Sequence, residues 1–289
     1  MSSTQSHPEG EFIPTDDSTI PIEGYAPPEA YSPEQARRRR EYSVWDPRSA
    51  PGTYLLLAIN IAVYLWMVTH GVSPKDPNEN DLLRYGANVT WLVLHGQWYR
   101  LLTATFVHVG LLHLATNMWC LWNLGMLGEP LIGPYGMVAV YMITGIAGNL
   151  LSMGYNIYYD LWFHDPSSLF QVGAGASGAV FGIAGILIVL LSNRQLPFPW
   201  EELRRLRSSV VKFAAINLVI GISTIVVNVG IRIDNSAHIG GFLSGLALGV
   251  PLIPRMTSGR ERYLRRQKIT FAAACLILSL FGYAIASRL

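Results

Sequence analysis

Charged side chains are scarce in this chain: 21 Lys and Arg with 19 Asp and Glu make up 14% of 289 residues, against roughly 25% in an average soluble domain. That scarcity excludes a protein whose whole surface faces water, and a net charge of only +2 gives no electrostatic basis for binding nucleic acid. Cysteine is nearly absent as well. Cys120 and Cys275 both fall inside apolar runs, so no disulfide framework is implied and both read as small packing residues. A cleavable signal peptide is not expected, because the first apolar run begins about fifty residues in; that run would itself direct insertion.

What the chain has in place of charge is apolar surface, 51% of its residues, gathered into blocks. A helix needs roughly 20 apolar residues to cross about 30 Å of hydrocarbon. Seven blocks approach that length: about Gly52 to Val68, Leu101 to Leu124, Met137 to Tyr155, Val172 to Leu191, Val210 to Val229, His238 to Leu252 and Ile269 to Ser287. An all-α, polytopic membrane bundle follows. With seven crossings, sixteen of the basic residues fall on one side and five on the other. The positive-inside rule then places the amino terminus in the cytoplasm and the carboxyl terminus outside.

Ahead of the first block, Met1 to Pro51 holds eight prolines, and seven acidic residues precede its first basic one, Arg37. Such a segment cannot bury enough apolar surface to offset the entropy of ordering it, so it is expected to be a disordered cytoplasmic tail. The run Arg37 to Arg40 reads as a topology anchor beside the first span. Between the first and second blocks, Trp91 and Trp98 on a mixed segment predict short interfacial helices. Asn88-Val89-Thr90 matches a glycosylation acceptor, a three-residue pattern that often arises by chance.

Polar groups inside the apolar blocks are few, and they fall together. Spans two, four and six would all run inward from the outer face. His108, His113 and Asn117 lie early in the second, Ser177 about six residues into the fourth, and His238 opens the sixth. All five therefore belong to the outer half of the bilayer, with Ser177 roughly 9 Å down at 1.5 Å per residue. His113 and Asn117, four apart, share a helix face. Gly241 and Gly245 follow His238 at GxxxG spacing, and Gly178, Gly182 and Gly185 answer them in span four, which predicts close packing of the two spans. A serine hydroxyl needs a base to become nucleophilic, and neutral imidazole serves near pH 7. Acyl transfer also needs fixed donors for an oxyanion, which His113, Asn117 and the Ser177 backbone amide could supply. No acidic residue lies in the outer halves of these spans, so the pattern supports a Ser and His pair and not a triad.

Other readings fit less well. Gly173, Gly175 and Gly178 satisfy a dinucleotide fingerprint formally, without the strand or the downstream acid it requires. His108 and His113 are five apart, not the four of a zinc helix motif, so no metal is expected. A small-solute transporter would show intramembrane charges or broken helices in paired repeats, which the sequence does not display.

Three ordered motifs resemble the rhomboid family of intramembrane serine proteases. Gly175-Ala176-Ser177-Gly178 matches its GxSG, Ala237-His238 with Gly241 and Gly245 matches AHxxGxxxG, and His108, His113 and Asn117 match HxxxxHxxxN. Trp98-Tyr99-Arg100 is a variant of its Trp-Arg pair with one residue inserted. The resemblance implies a six-helix core over residues 52–255, preceded by the tail 1–51 and followed by a cytoplasmic basic linker and seventh transmembrane helix over 256–289. It implies Ser177 as nucleophile, His238 as general base, and His113, Asn117 and the Ser177 amide as the oxyanion hole. His108, Gly175, Gly178 and Gly241 would support the site, and Phe181 would pack against the catalytic histidine. Arg100 and Glu129 would be structural. Substrates would be other membrane proteins, cut near the outer end of a transmembrane segment after entering sideways between spans two and five, with Ile231 to Ser236 as a cap. No cofactor is expected. The absence of an organelle presequence points to a plasma membrane, bacterial in type. A catalytically inert relative that binds membrane clients is the alternative, although such relatives usually lack the serine or the histidine.

Overall fold

Pro51 suits the first turn of a helix, where its missing N–H costs nothing, and helix α1, Pro51–Thr69, begins there. The computed structural model describes residues 48–227, 234–254 and 259–287, all within one compact unit, Asp46–Leu289. The expected tail lies outside the described residues except for its last four, as do residues 231–233 of the expected cap. The orphan amides at the start of α1 need acceptors, and a carboxylate far along the chain provides them. Glu129 accepts from Gly52 N at 2.8 Å, Thr53 N at 2.7 Å and Thr53 Oγ1 at 2.6 Å. An anion at a helix N-terminus also complements the helix dipole. Glu129→Gln, which removes the charge from three buried hydrogen bonds, is expected to cost about 2 kcal/mol, read as a lower midpoint of thermal unfolding in detergent.

After α1 come the short helices α2, Glu79–Arg84, α3, Thr90–Leu94, and α4, Arg100–Thr103. Asn78 caps α2 by accepting from Asp81 N at 2.9 Å. Arg100 is buried and ties this region together, donating to the carbonyls of Leu83 and Ala87, each at 2.8 Å, and to Gln97 Oε1 at 2.6 Å. Strand β1, Asn88–Val89, pairs antiparallel with β2, Val172–Gly173. Asn88 and Thr90 are buried, at 3% and 0% exposure, so the apparent glycosylation acceptor cannot receive a glycan in the folded protein.

The second and third apolar blocks form one long element, α5, Leu111–Phe163, broken at Gly133, whose φ of 73° is outside the helical range, and followed there by Pro134. Its limbs fold back along each other: Gly128 packs on Met137 near the break, and Thr105, just ahead of the first limb, packs on Gly145. The first limb starts ten residues later than the apolar block suggests. Residues 101–110 are apolar because they are buried (Leu101, Ala104 and Val107), although only Leu101–Thr103 are helical, in α4.

Helix α6, Ser177–Leu190, is enclosed on all sides, with Ala179, Ile183, Ala184, Ile186, Leu187 and Leu190 fully buried. A helix apolar all round belongs in the centre of a bundle. Around it stand α7, Trp200–Val227, and α8, Asn235–Leu252. Helix α9, Arg260–Ala286, lies outside; only 11% of its most apolar window is buried. Three of these helices, α1, α5 and α9, are long and apolar enough to cross a bilayer by themselves. The fold is a helical membrane bundle.

Candidate active site

Helix α6 is short. Its fourteen residues rise roughly 21 Å against about 30 Å of hydrocarbon, so the helix is shorter than a full crossing. Ser177 is thus the first residue of its helix, not the sixth residue of a longer one, because β2 and the turn after it are not helical. Irregular backbone at membrane depth is tolerated only where protein satisfies it. Here β1 pairs with β2, Gly175 N donates to Ala104 O at 2.9 Å, and Ala176 N donates to His108 Nε2 at 3.4 Å.

His108 lies before α5 and is fully buried. Because its Nε2 accepts from Ala176, the neutral ring carries its proton on Nδ1, which donates to Phe106 O at 3.2 Å. One nitrogen thus holds the backbone ahead of Ser177 and the other anchors the ring to its own segment. His113 is in the first turn of α5. Its Nδ1 accepts from Val109 N at 3.3 Å, so in the neutral ring Nε2 is the donor. That ring closes on Gly175: a Cβ there would stand 3.0 Å from Nε2, and the φ of 136° favours glycine as well. Asn117 Nδ2 donates to His113 O at 2.8 Å, one turn back, and makes no hydrogen bond to Ser177 among the described residues.

Helices α6 and α8 touch backbone to backbone. A Cβ on Gly241 would fall on the Gly178 carbonyl, one on Gly245 on the Gly182 carbonyl, and one on Gly178 would lie 3.4 Å from Ala237 O. Ser177 and His238 each adjoin a residue of that last contact. The His238 ring stacks on Phe181, with centroids 4.3 Å apart and planes 11° from parallel. Among the described residues, the enclosed His238 Nδ1 has no hydrogen-bond partner and Ser177 Oγ makes no hydrogen bond.

Sequence inspection missed Asp234. It caps α8, accepting from Ala237 N at 2.9 Å through Oδ1 and from Ser152 Oγ of α5 at 2.5 Å through Oδ2. Desolvation holds its carboxyl above the usual range, with the hydrogen bonds from Ser152, Ala237 and Ser236 acting the other way. An Asp three residues ahead of an apolar helical run is a cap signal that could have been read. Its oxygens are committed to the cap and to Ser152, and neither is hydrogen-bonded to the His238 ring among the described residues.

Residues 95–255 match the family model of the Rhomboid domain. Rhomboid protease GluP of Bacillus subtilis is 33% identical over 223 residues, which is 75% of this chain and 39% of that longer relative. Rhomboid protease AarA of Providencia stuartii is 31% identical over 246 residues, 82% of this chain and 84% of the relative. Rhomboid-like protease 2 of Toxoplasma gondii is 26% identical over 235 residues, 78% of this chain and 75% of the relative. With its family domain, its helical bundle and its membrane-length helices, the chain is an integral membrane protein that belongs to the rhomboid family.

Proposed function

We propose that this protein is an intramembrane serine endopeptidase that cuts transmembrane segments of other membrane proteins by a Ser177 and His238 dyad. The observation that carries the reading is the glycine-mediated contact of α6 and α8 at Gly178 and Ala237, next to both residues. In the reaction, Ser177 Oγ attacks the scissile carbonyl carbon as His238 takes its proton. The tetrahedral intermediate collapses, His238 returns the proton to the leaving amine, and water then hydrolyses the acyl-enzyme by the same route. The Ser177 amide heads its helix, where backbone N–H groups are free to bind an anion. His113 Nε2 and the second Asn117 amide hydrogen complete the donor set for the oxyanion. Phe181 holds the His238 plane by stacking, which stands in for an orienting carboxylate.

Topology follows from charge: the amino terminus in the cytoplasm, the carboxyl terminus outside, and the site in the outer half of a plasma membrane. The tail 1–51, the core 52–255 and the segment 256–289 with its seventh span are the proposed divisions. Substrates enter between the first limb of α5 and α7, whose Ile216, Val219 and Ile220 are exposed. No metal or cofactor takes part.

The test is product mapping in proteoliposomes. Single-span proteins with small residues before the expected cut and helix-weakening residues after it should yield new termini within the outer turns of the span. Cuts confined to soluble loops would overturn the proposal. A cytoplasm-dependent reporter at the carboxyl terminus should stay silent; a strong signal would reverse the topology.

A further inference from the structure

Helix α9 is tied to the core at its ends, and between them Phe271 packs on Tyr135 of α5 while one face borders a cleft. At its basic end, Gln267 Nε2 donates to Ile132 O at 2.7 Å and Tyr263 OH to Leu252 O at 3.1 Å, while Arg266 Nη2 donates to Ile253 O at 2.6 Å. Ile132 O is a carbonyl at the Gly133 break. At the other end, Gly282 lies against Trp98 and Ile285 against Gly154. Beside Phe271 a cavity of about 410 Å³ opens between α9, α5 and α8, lined by Ile143, Leu248, Pro251, Ala273, Ala274 and Ile277 among other apolar residues. Such a space at membrane depth is too apolar to hold water, and the material available to fill it is an acyl chain.

The residues above the cavity say which kind of lipid. On a helix, positions four apart lie one above the other. Arg262, Arg266, Thr270, Ala274 and Leu278 form one such row, and Arg265, Ile269, Ala273 and Ile277 form the next. The last three residues of each row line the cavity, and arginines head both rows. Arg262 and Arg265 are exposed and make no ion pair or hydrogen bond among the described residues. Arg266 Nε is enclosed and has no hydrogen-bond partner among the described residues. Glu261 is the single acid in this turn of α9, and it too forms no ion pair among the described residues. Guanidinium groups bind phosphate oxygens in a fixed fork.

We infer that the groove between α9 and the core binds an anionic glycerophospholipid, with its phosphate on Arg262 and Arg265 and one acyl chain along Ala273 and Ile277. The inference requires a bilayer but not the protease reading, so either can fail alone. The full-length protein, stripped in detergent, would be given phosphatidylglycerol and phosphatidylcholine with identical chains and examined by native mass spectrometry. Wild type should retain phosphatidylglycerol preferentially, and Arg262→Gln and Arg265→Gln should each lower that preference about fivefold. Ala273→Phe, which fills the groove, should lower retention of both lipids. Arg204→Gln with Arg205→Gln on α7 should change neither. Absence of preference in wild type would overturn the inference, as would a preference that survives both α9 substitutions or falls equally with those on α7. Should Ala273→Phe fail to fold, the exposed arginine pair still decides the matter.

Discussion

Ser177→Ala is expected to lower the cleavage rate of a single-span substrate by about ten-thousand-fold or more, and His238→Ala by a similar factor. The reason is the division of labour within the dyad. Without the base the hydroxyl keeps its proton, and without the hydroxyl the base has nothing to activate, so removing both should cost scarcely more than removing one. Initial rates in proteoliposomes would show this. The unfolding midpoint should be almost unchanged for Ser177→Ala, since Ser177 Oγ makes no hydrogen bond among the described residues. His238→Ala also removes the stack on Phe181 and should cost about 1 kcal/mol of stability. Additive rate losses in the double variant would show that the two residues act separately.

The second large effect concerns backbone approach. Gly241→Val would place side-chain atoms on the Gly178 carbonyl, and neither helix can yield locally, because α6 is enclosed and α8 is pinned at Asp234. Overpacking of this kind costs about 1–3 kcal/mol and occasionally more; here the upper end is expected, since the obstacle is backbone. Separating α6 from α8 also separates Ser177 from His238, so activity should fall well below the fraction that remains folded. Gly259→Ala is the comparison: no described atom lies within 4 Å of that position, and although Gly259 caps α9 the loss of stability should stay below about 1 kcal/mol. Unfolding midpoints and rates measured at one temperature separate the two effects.

The apolar blocks made the helical bundle legible, because in lipid backbone groups must be satisfied within helices. Glycine spacing likewise pointed to the α6 and α8 contact. Element boundaries were not legible where burial and helix diverge. Residues 101–110 are apolar through packing, and only 101–103 are helical. Residues 172–176 join a strand and a turn that exist only because β1 is there to pair with. Ser177 heads its helix, so the six-residue descent expected from the apolar block does not apply. Glu129 meeting α1, Asp234 meeting Ser152 and Gln267 meeting the Gly133 break are contacts across 76, 82 and 135 positions. Local pattern carries no signal at those separations. The proposed roles of Ser177, His238, His113 and Asn117 rest on motif and on proximity.

The most direct measurement uses a fluorophosphonate, which reacts only with an activated serine. Purified protein would be labelled and the modified peptide mapped by mass spectrometry. The adduct should fall on Ser177, vanish in Ser177→Ala and drop sharply in His238→Ala. Equal labelling of wild type and Ser177→Ala, or an adduct on another serine, would contradict the assignment.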